Sequence, residues 1–184
     1  VALQSQALPF GMRQVRLTPY TDVSATALAA FSVALPMAQI FSFTETEDFE
    51  DLRGDDRLQT SHGKGPQIEW ELTAGGIVLE AYQVLAGGAA PVVTGITPNQ
   101  VKTYRKLVTD QRTPFKAEGR AISDNGGDMH TIVYRCKTTG DIAGSFEDGK
   151  FFLTNAKGLG YASLISPIDA VYDFVQNETP VVIS

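Results

Sequence analysis

One cysteine, two histidines and one tryptophan are all that 184 residues hold of the side chains that carry much protein chemistry. Cys136 alone excludes an intrachain disulfide and any multi-cysteine zinc site. His62 and His130 leave little material for metal binding or acid–base work. Long apolar runs are also missing. None approaches the ~18 residues that a membrane-spanning helix needs, and residues 1–9 lack the charged start and continuous apolar core of a secretory signal. The expectation is a soluble protein with no membrane anchor. Positive charge is scarce: 21 acids face 15 bases, for a net charge of −6. Such a chain is not built to grip phosphates.

Catalytic motifs are absent as well. There is no P-loop, nucleophile elbow, zincin motif or dinucleotide fingerprint, and Gly63-Lys64 and Gly149-Lys150 lack the upstream glycine spacing. Asp124-Asn125-Gly126-Gly127-Asp128 lacks the alternating oxygen ligands and distal glutamate of a calcium loop, so it reads as a turn. Cys136 and His130 lie six residues apart on one expected strand, about 20 Å, too far for a nucleophile–base pair. Cys136 reads as a small core residue. The expectation is no catalytic residue, no metal, no cofactor and no enzyme.

What is present is an ordinary globular composition, 43% hydrophobic and 20% charged, in short apolar stretches punctuated by Gly, Pro, Asn and Asp. That pattern indicates one mainly β domain. Residues 12–18 alternate as a strand. Residues 31–44 are β-rich but interrupted by Pro36. Residues 57–62 and 67–73 read as two arms of a hairpin turning at 63–66, with Ile68, Trp70 and Leu72 inward and Glu69, Glu71 and Thr73 outward. Residues 76–87 form the one expected helix, with Trp70, Ile77, Ala81 and Leu85 as core anchors and Gly87-Gly88 as its stop. Further on, 101–109 reads as a strand. Residues 115–124 and 129–137 form a hairpin across Asn125-Gly126-Gly127, and 141–146 and 150–155 form another across Asp148-Gly149. Residues 167–176 fit a helix or a strand equally well. Residues 45–57 stand apart, with seven acids (Glu45, Glu47, Asp48, Glu50, Asp51, Asp55, Asp56) against Arg53 and Arg57. They could cap a short helix through Thr44-x-x-Glu47, but read more simply as an acidic surface loop over 44–66.

Taken in order, these stretches resemble the major tail proteins, the tail tube subunits, of long-tailed actinobacteriophages. The stretches are Val15-Arg16-Leu17-Thr18-Pro19-Tyr20, Phe41-Ser42-Phe43-Thr44-Glu45, and Glu50-Asp51-Leu52-Arg53-Gly54-Asp55-Asp56-Arg57. Ile68-Glu69-Trp70 and Gly75-Gly76-Ile77 follow. Next come Phe115-Lys116-Ala117-Glu118-Gly119-Arg120-Ala121-Ile122-Ser123-Asp124, Gly127-Asp128-Met129-His130, and Phe146-Glu147-Asp148-Gly149-Lys150-Phe151-Phe152. Together they cover nearly the whole chain. No single stretch is diagnostic; their order carries the likeness.

The resemblance implies two packed antiparallel sheets, a β-sandwich or half-barrel, with one flanking helix. Six subunits would close into a ring whose inner sheets join as one lumen β-barrel. Rings would stack into the tube that conducts double-stranded DNA from capsid to host. The implied partners are further copies of the chain, the tail tip initiator, the tape measure and the tail terminator, with DNA passing unbound. The implied location is the virion tail, assembled in the host cytoplasm. Contacts between subunits or rings are expected from Glu45, Glu47, Asp48, Glu50, Asp51, Arg53, Asp55, Asp56 and Arg57 of the acidic loop. They are also expected from the arms at 1–11 and 177–184, including Val181, Val182 and Ile183.

A ring of six would carry −36 formal charges, which would repel DNA and keep it centred. Strand alternation offers Glu69, Glu71, Glu118 and Asp128 as lumen candidates. Lys116 and Arg120 share the face of Glu118, so that face could instead be an intersubunit salt-bridge seam. Two other classes fit the same residues less well: another virion part, such as a completion, connector or decoration protein, and a monomeric β-barrel binding a small apolar ligand.

Overall fold

Alternation builds the centre of the molecule. On one strand Ile68, Trp70 and Leu72 are buried while Glu69 and Glu71 face water, so one face of the pleat packs and the other is solvated. The structure is a computed structural model that describes residues 3, 5–54, 57–143 and 146–183. Its elements are β1 (Pro9–Pro19), β2 (Val33–Leu35), β3 (Ala38–Gly54), β4 (Arg57–Gly75), α1 (Leu79–Ala86), β5 (Val92–Thr94), β6 (Val101–Thr103), β7 (Phe115–Ser123), β8 (Asp128–Thr138), β9 (Leu153–Tyr161) and β10 (Tyr172–Asn177).

The fold is mainly β. Eight strands form one antiparallel sheet in the order β2-β1-β7-β8-β9-β4-β3, with β10 paired to the first half of β8. Short β5 and β6 make a separate two-stranded sheet. In place of two separate packed sheets, the large sheet curls over itself. Phe41 of β3 lies so close to Gly119 of β7 that a Cβ there would come within 2.5 Å of its ring. Trp70 of β4 meets Phe115 of β7 edge-on with centroids 5.4 Å apart. The core lies inside this curl and includes Val15, Leu17, Leu72, Ala117, Val133 and Cys136. Trp70 is 2% exposed and its Nε1–H donates to Leu159 O at 3.1 Å.

Helix α1 contributes Ala81, Val84 and Leu85 to that core. It is shorter than the periodicity suggests. Ile77 precedes it and is 42% exposed, so Ile77 is not a core anchor. Gly87 ends the helix at φ +79°, where a side chain would collide with the Gln111 backbone carbonyl.

Several expected elements are redrawn. Residues 44–54 and 57–66 are neither a loop nor a helix: they belong to β3 and β4, paired almost without break from Ala38↔Ala74 to Gly54↔Arg57. Residues 63–66 do not turn the chain. Between Glu47↔Pro66 and Phe49↔Gly63 the register shifts, with Gly65 at φ +98°. The glycine is spent on a β-bulge inside one long strand. The strand at 101–109 shrinks to β6, after which Lys106 and Asp110 tie the backbone into a compact turn. The hairpin at 115–124 and 129–137 is present as β7 and β8. The one proposed over 141–155 is not: 141–143 and 146–152 lie outside strands, although residues 147–150 do turn, while 144 and 145 fall outside the described residues. Residues 172–177 are a strand, because β8 offers them a free edge. β1 begins at Pro9, so the expected N-terminal arm is partly sheet.

Candidate functional site

Three features distinguish this molecule from a plain curled sheet: a projecting hairpin, a buried acid that pins the C-terminal segment, and an apolar, basic lobe beside α1.

The hairpin arises because β9 pairs with β4 only from Ile68 onward. Beyond that point β3 and β4 have no other strand partner among the described residues. The nine residues 45–53 of β3, at about 3.3 Å each, carry the pair about 30 Å outward. Phe49, Leu52 and Leu58 are large apolar residues more than half exposed to water, the first 63% exposed. Glu45, Glu47, Asp48, Glu50 and Asp51 are exposed around them. Their partners are light: Lys64 Nζ lies 3.3 Å from Glu50, Arg53 3.8 Å from Asp51, and Tyr172 donates to Glu45 at 2.8 Å. Arg57 is exposed at the far end. Asp55 and Asp56, expected contacts of the same stretch, lie outside the described residues.

The acid cluster lies on the other face of β7 and β8. Ile122↔Asp128 and Arg120↔His130 are cross-strand partners, and Asn177↔Asp128 joins them from β10. Asp128 is 0% exposed, so it is not a lumen residue of a single subunit. Its carboxylate accepts from Arg120 Nε at 2.6 Å, Asn177 Nδ2 at 2.8 Å and the Val181 backbone N–H at 2.7 Å. Burial pushes its pKa up, but those hydrogen bonds and that of His130 outweigh it and hold the acid at about 2. His130 Nε2 donates to Val181 O at 3.0 Å. Gln14 of β1 bonds both the N–H and the C=O of Ile183, at 3.2 and 3.1 Å. Residues 181–183 therefore cross β8, β7 and β1 as a strap held by side chains. Ile183, expected to contact a neighbour, is 4% exposed and buried in its own subunit; Val181 and Val182 remain outward.

The remaining lumen candidates divide. Lys116 and Glu118 form a half-buried ion pair at 2.9 Å, which neutralises that face locally, and Arg120 is committed to Asp128. Only Glu69 and Glu71 are exposed; they line an open groove with Ser42, Thr44 and Lys157.

The lobe was not legible as a site from sequence. Lys106 Nζ donates to Ala86 O at the end of α1, and Tyr104 donates to Gly87 O at 2.6 Å. The Tyr82 and Tyr104 rings lie tilted to each other with centroids 6.3 Å apart, and Lys102 pairs with Glu80. These contacts seat 101–110 on the helix. They leave Val92, Val93, Ile96, Val101, Leu107 and Val108 exposed. The signal was there in Lys102-Thr103-Tyr104-Arg105-Lys106, the densest basic stretch of an acidic chain.

No protein-family model matches the chain, and no curated protein matches it significantly.

Proposed function

We propose that the chain is a tail tube subunit of a long-tailed bacteriophage, building stacked rings that conduct double-stranded DNA. The observation that carries this reading is the β3–β4 hairpin. It projects about 30 Å from the core, exposes Phe49, Leu52 and Leu58, and leaves the outer edge of the 17-residue β3 without a strand partner among the described residues. A long open edge with apolar side chains is a liability in a monomer and a connector in an assembly. Its acids suit that use, because like charges discourage hairpins from pairing with one another in the wrong register.

In this reading the curled sheet closes with its neighbours around a channel, which removes unpaired edges. Glu69 and Glu71 are the acids free to face DNA and repel it. Further copies, a tip initiator, a tape measure and a terminator are the partners, and the virion tail is the location. The chain needs no cofactor or catalytic residue for this work.

Negative-stain electron microscopy across a concentration series, with and without tip proteins, tests the proposal. Rings or tubes with a central channel are the expected result. Uniform small particles under every condition would overturn it.

A further inference from the structure

We infer that the open end of the curled sheet is a binding site for a small, uncharged aromatic molecule, held between Phe41 and Phe174 over a floor of Gly119 and Ala121. This concerns the interior of a single subunit and does not rest on the assembly reading above.

The two ends of the curl are finished differently. At one end α1 packs Ala81, Val84 and Leu85 into the core, and Gly87 abuts Gln111 shortly before β7 begins. At the other end, toward the turn between β7 and β8, the interior opens as a pocket of about 290 Å³. Strand register builds it in two rows. Met12, Ala121 and Met129 are partners across β1, β7 and β8. Gly119, Thr131 and Phe174 are partners across β7, β8 and β10. Small residues thus form the centre of the floor, and longer ones stand at its sides. Phe41 closes over Gly119 from β3, where a Cβ would come within 2.5 Å of its ring.

Size and lining select the occupant. The volume sits at the lower end of small-molecule sites, roughly 300–1,000 Å³, and a helix about 10 Å across does not enter it. Arg120 and Thr131 are the polar residues of the wall. Arg120 is committed to Asp128 on the opposite face, so a charged ligand would lose its hydration without gaining a counter-charge. The rest of the lining suits a flat ring. Phe41 and Phe174 offer aromatic contact, and the Met12 and Met129 thioethers offer sulfur–aromatic contact on adaptable side chains. Phe174 is 58% exposed yet propped by Phe43 and Tyr172, at centroid distances of 5.5 and 5.6 Å. A bound ring would bury that exposed face.

The test uses N-phenyl-1-naphthylamine, an uncharged aromatic probe that brightens in apolar surroundings, with the full chain labelled at its methionine methyl groups. The three methionines give one signal each, and Met37, packed against Gly75 just before α1, serves as the internal control. The expected result is saturable binding of one probe per chain, with the Met12 and Met129 signals shifted and Met37 unmoved. Ala121→Phe, which fills the floor, should weaken binding by roughly ten-fold or more. No saturable binding, or shifts that spare Met12 and Met129, would overturn the site. So would an Ala121→Phe chain that melts like wild type and binds the probe equally well. If that variant fails to fold, the methionine shifts of the wild-type chain decide alone. Met12 and Met129 signals that move with protein concentration before any probe is added would give the pocket to a second copy and also overturn the proposal. The tube reading stands or falls separately, by microscopy.

Discussion

Asp128 shows how one side chain can hold three parts of a chain together. It joins β7 through Arg120, β10 through Asn177 and the C-terminal strap through the Val181 amide. Because its pKa in the folded protein, about 2, lies below the ordinary carboxylate value, its contribution is fully present above pH ~4 and is lost as pH falls from about 4 to 2. That shift corresponds to roughly 2 kcal/mol. Asp128→Asn should cost more, about 3–5 kcal/mol, since Arg120 keeps a nearly buried charge without its counter-ion. The thermal midpoint should fall, and hydrogen exchange at residues 181–183 should quicken before that of β8. Unchanged exchange in the strap would show that Gln14 and His130 suffice to hold it. Sequence offered Asp128 as a lumen acid because strand alternation places it on the face of Glu118. Alternation gives the face of a residue, not what lies over it, and a strap returning from more than 50 residues away has no local signature.

At the scale of elements, local pattern was readable wherever one face of a strand is buried. Ile68, Trp70 and Leu72, and the β7–β8 hairpin with its glycine turn, follow from alternation and turn chemistry. Pattern failed where both faces are wet. None of residues 45–53 and 57–67 is buried, so their strand character comes only from pairing with each other, and acidic composition reads as loop. The four residues 63–66 mislead for a related reason: Gly-x-Gly-Pro serves a bulge as well as a turn, and only the partner strand decides. The β3–β4 projection should therefore be separable from the fold. Replacing 47–66 by Asn-Gly, which joins the register partners Thr46 and Gln67, should leave the melting temperature within a few degrees because no core side chain is removed. It should abolish association measured by sedimentation. A truncated chain that aggregates or melts far lower would show the hairpin to be part of the folding unit.

For the whole molecule, charge is distributed against the average. A chain of net charge −6 concentrates bases beside α1 and acids on the hairpin. Association should therefore weaken as salt rises from 0.1 M to 1 M, where the screening length falls from about 10 Å to about 3 Å. Light scattering at fixed protein concentration reads this directly. An association that strengthens with salt would assign it to apolar burial alone. The continuity of β4 adds a mechanical consequence. One uninterrupted strand links the hairpin tip to the residues before α1, and it is flanked by β3 along its length and by β9 along its inner half. Hydrogen bonds in an antiparallel ladder stand perpendicular to the strands. A pull along β4, between the hairpin tip and the end next to α1, would load those bonds in shear, many at once, instead of peeling them apart singly, so the molecule resists stretching most along that line.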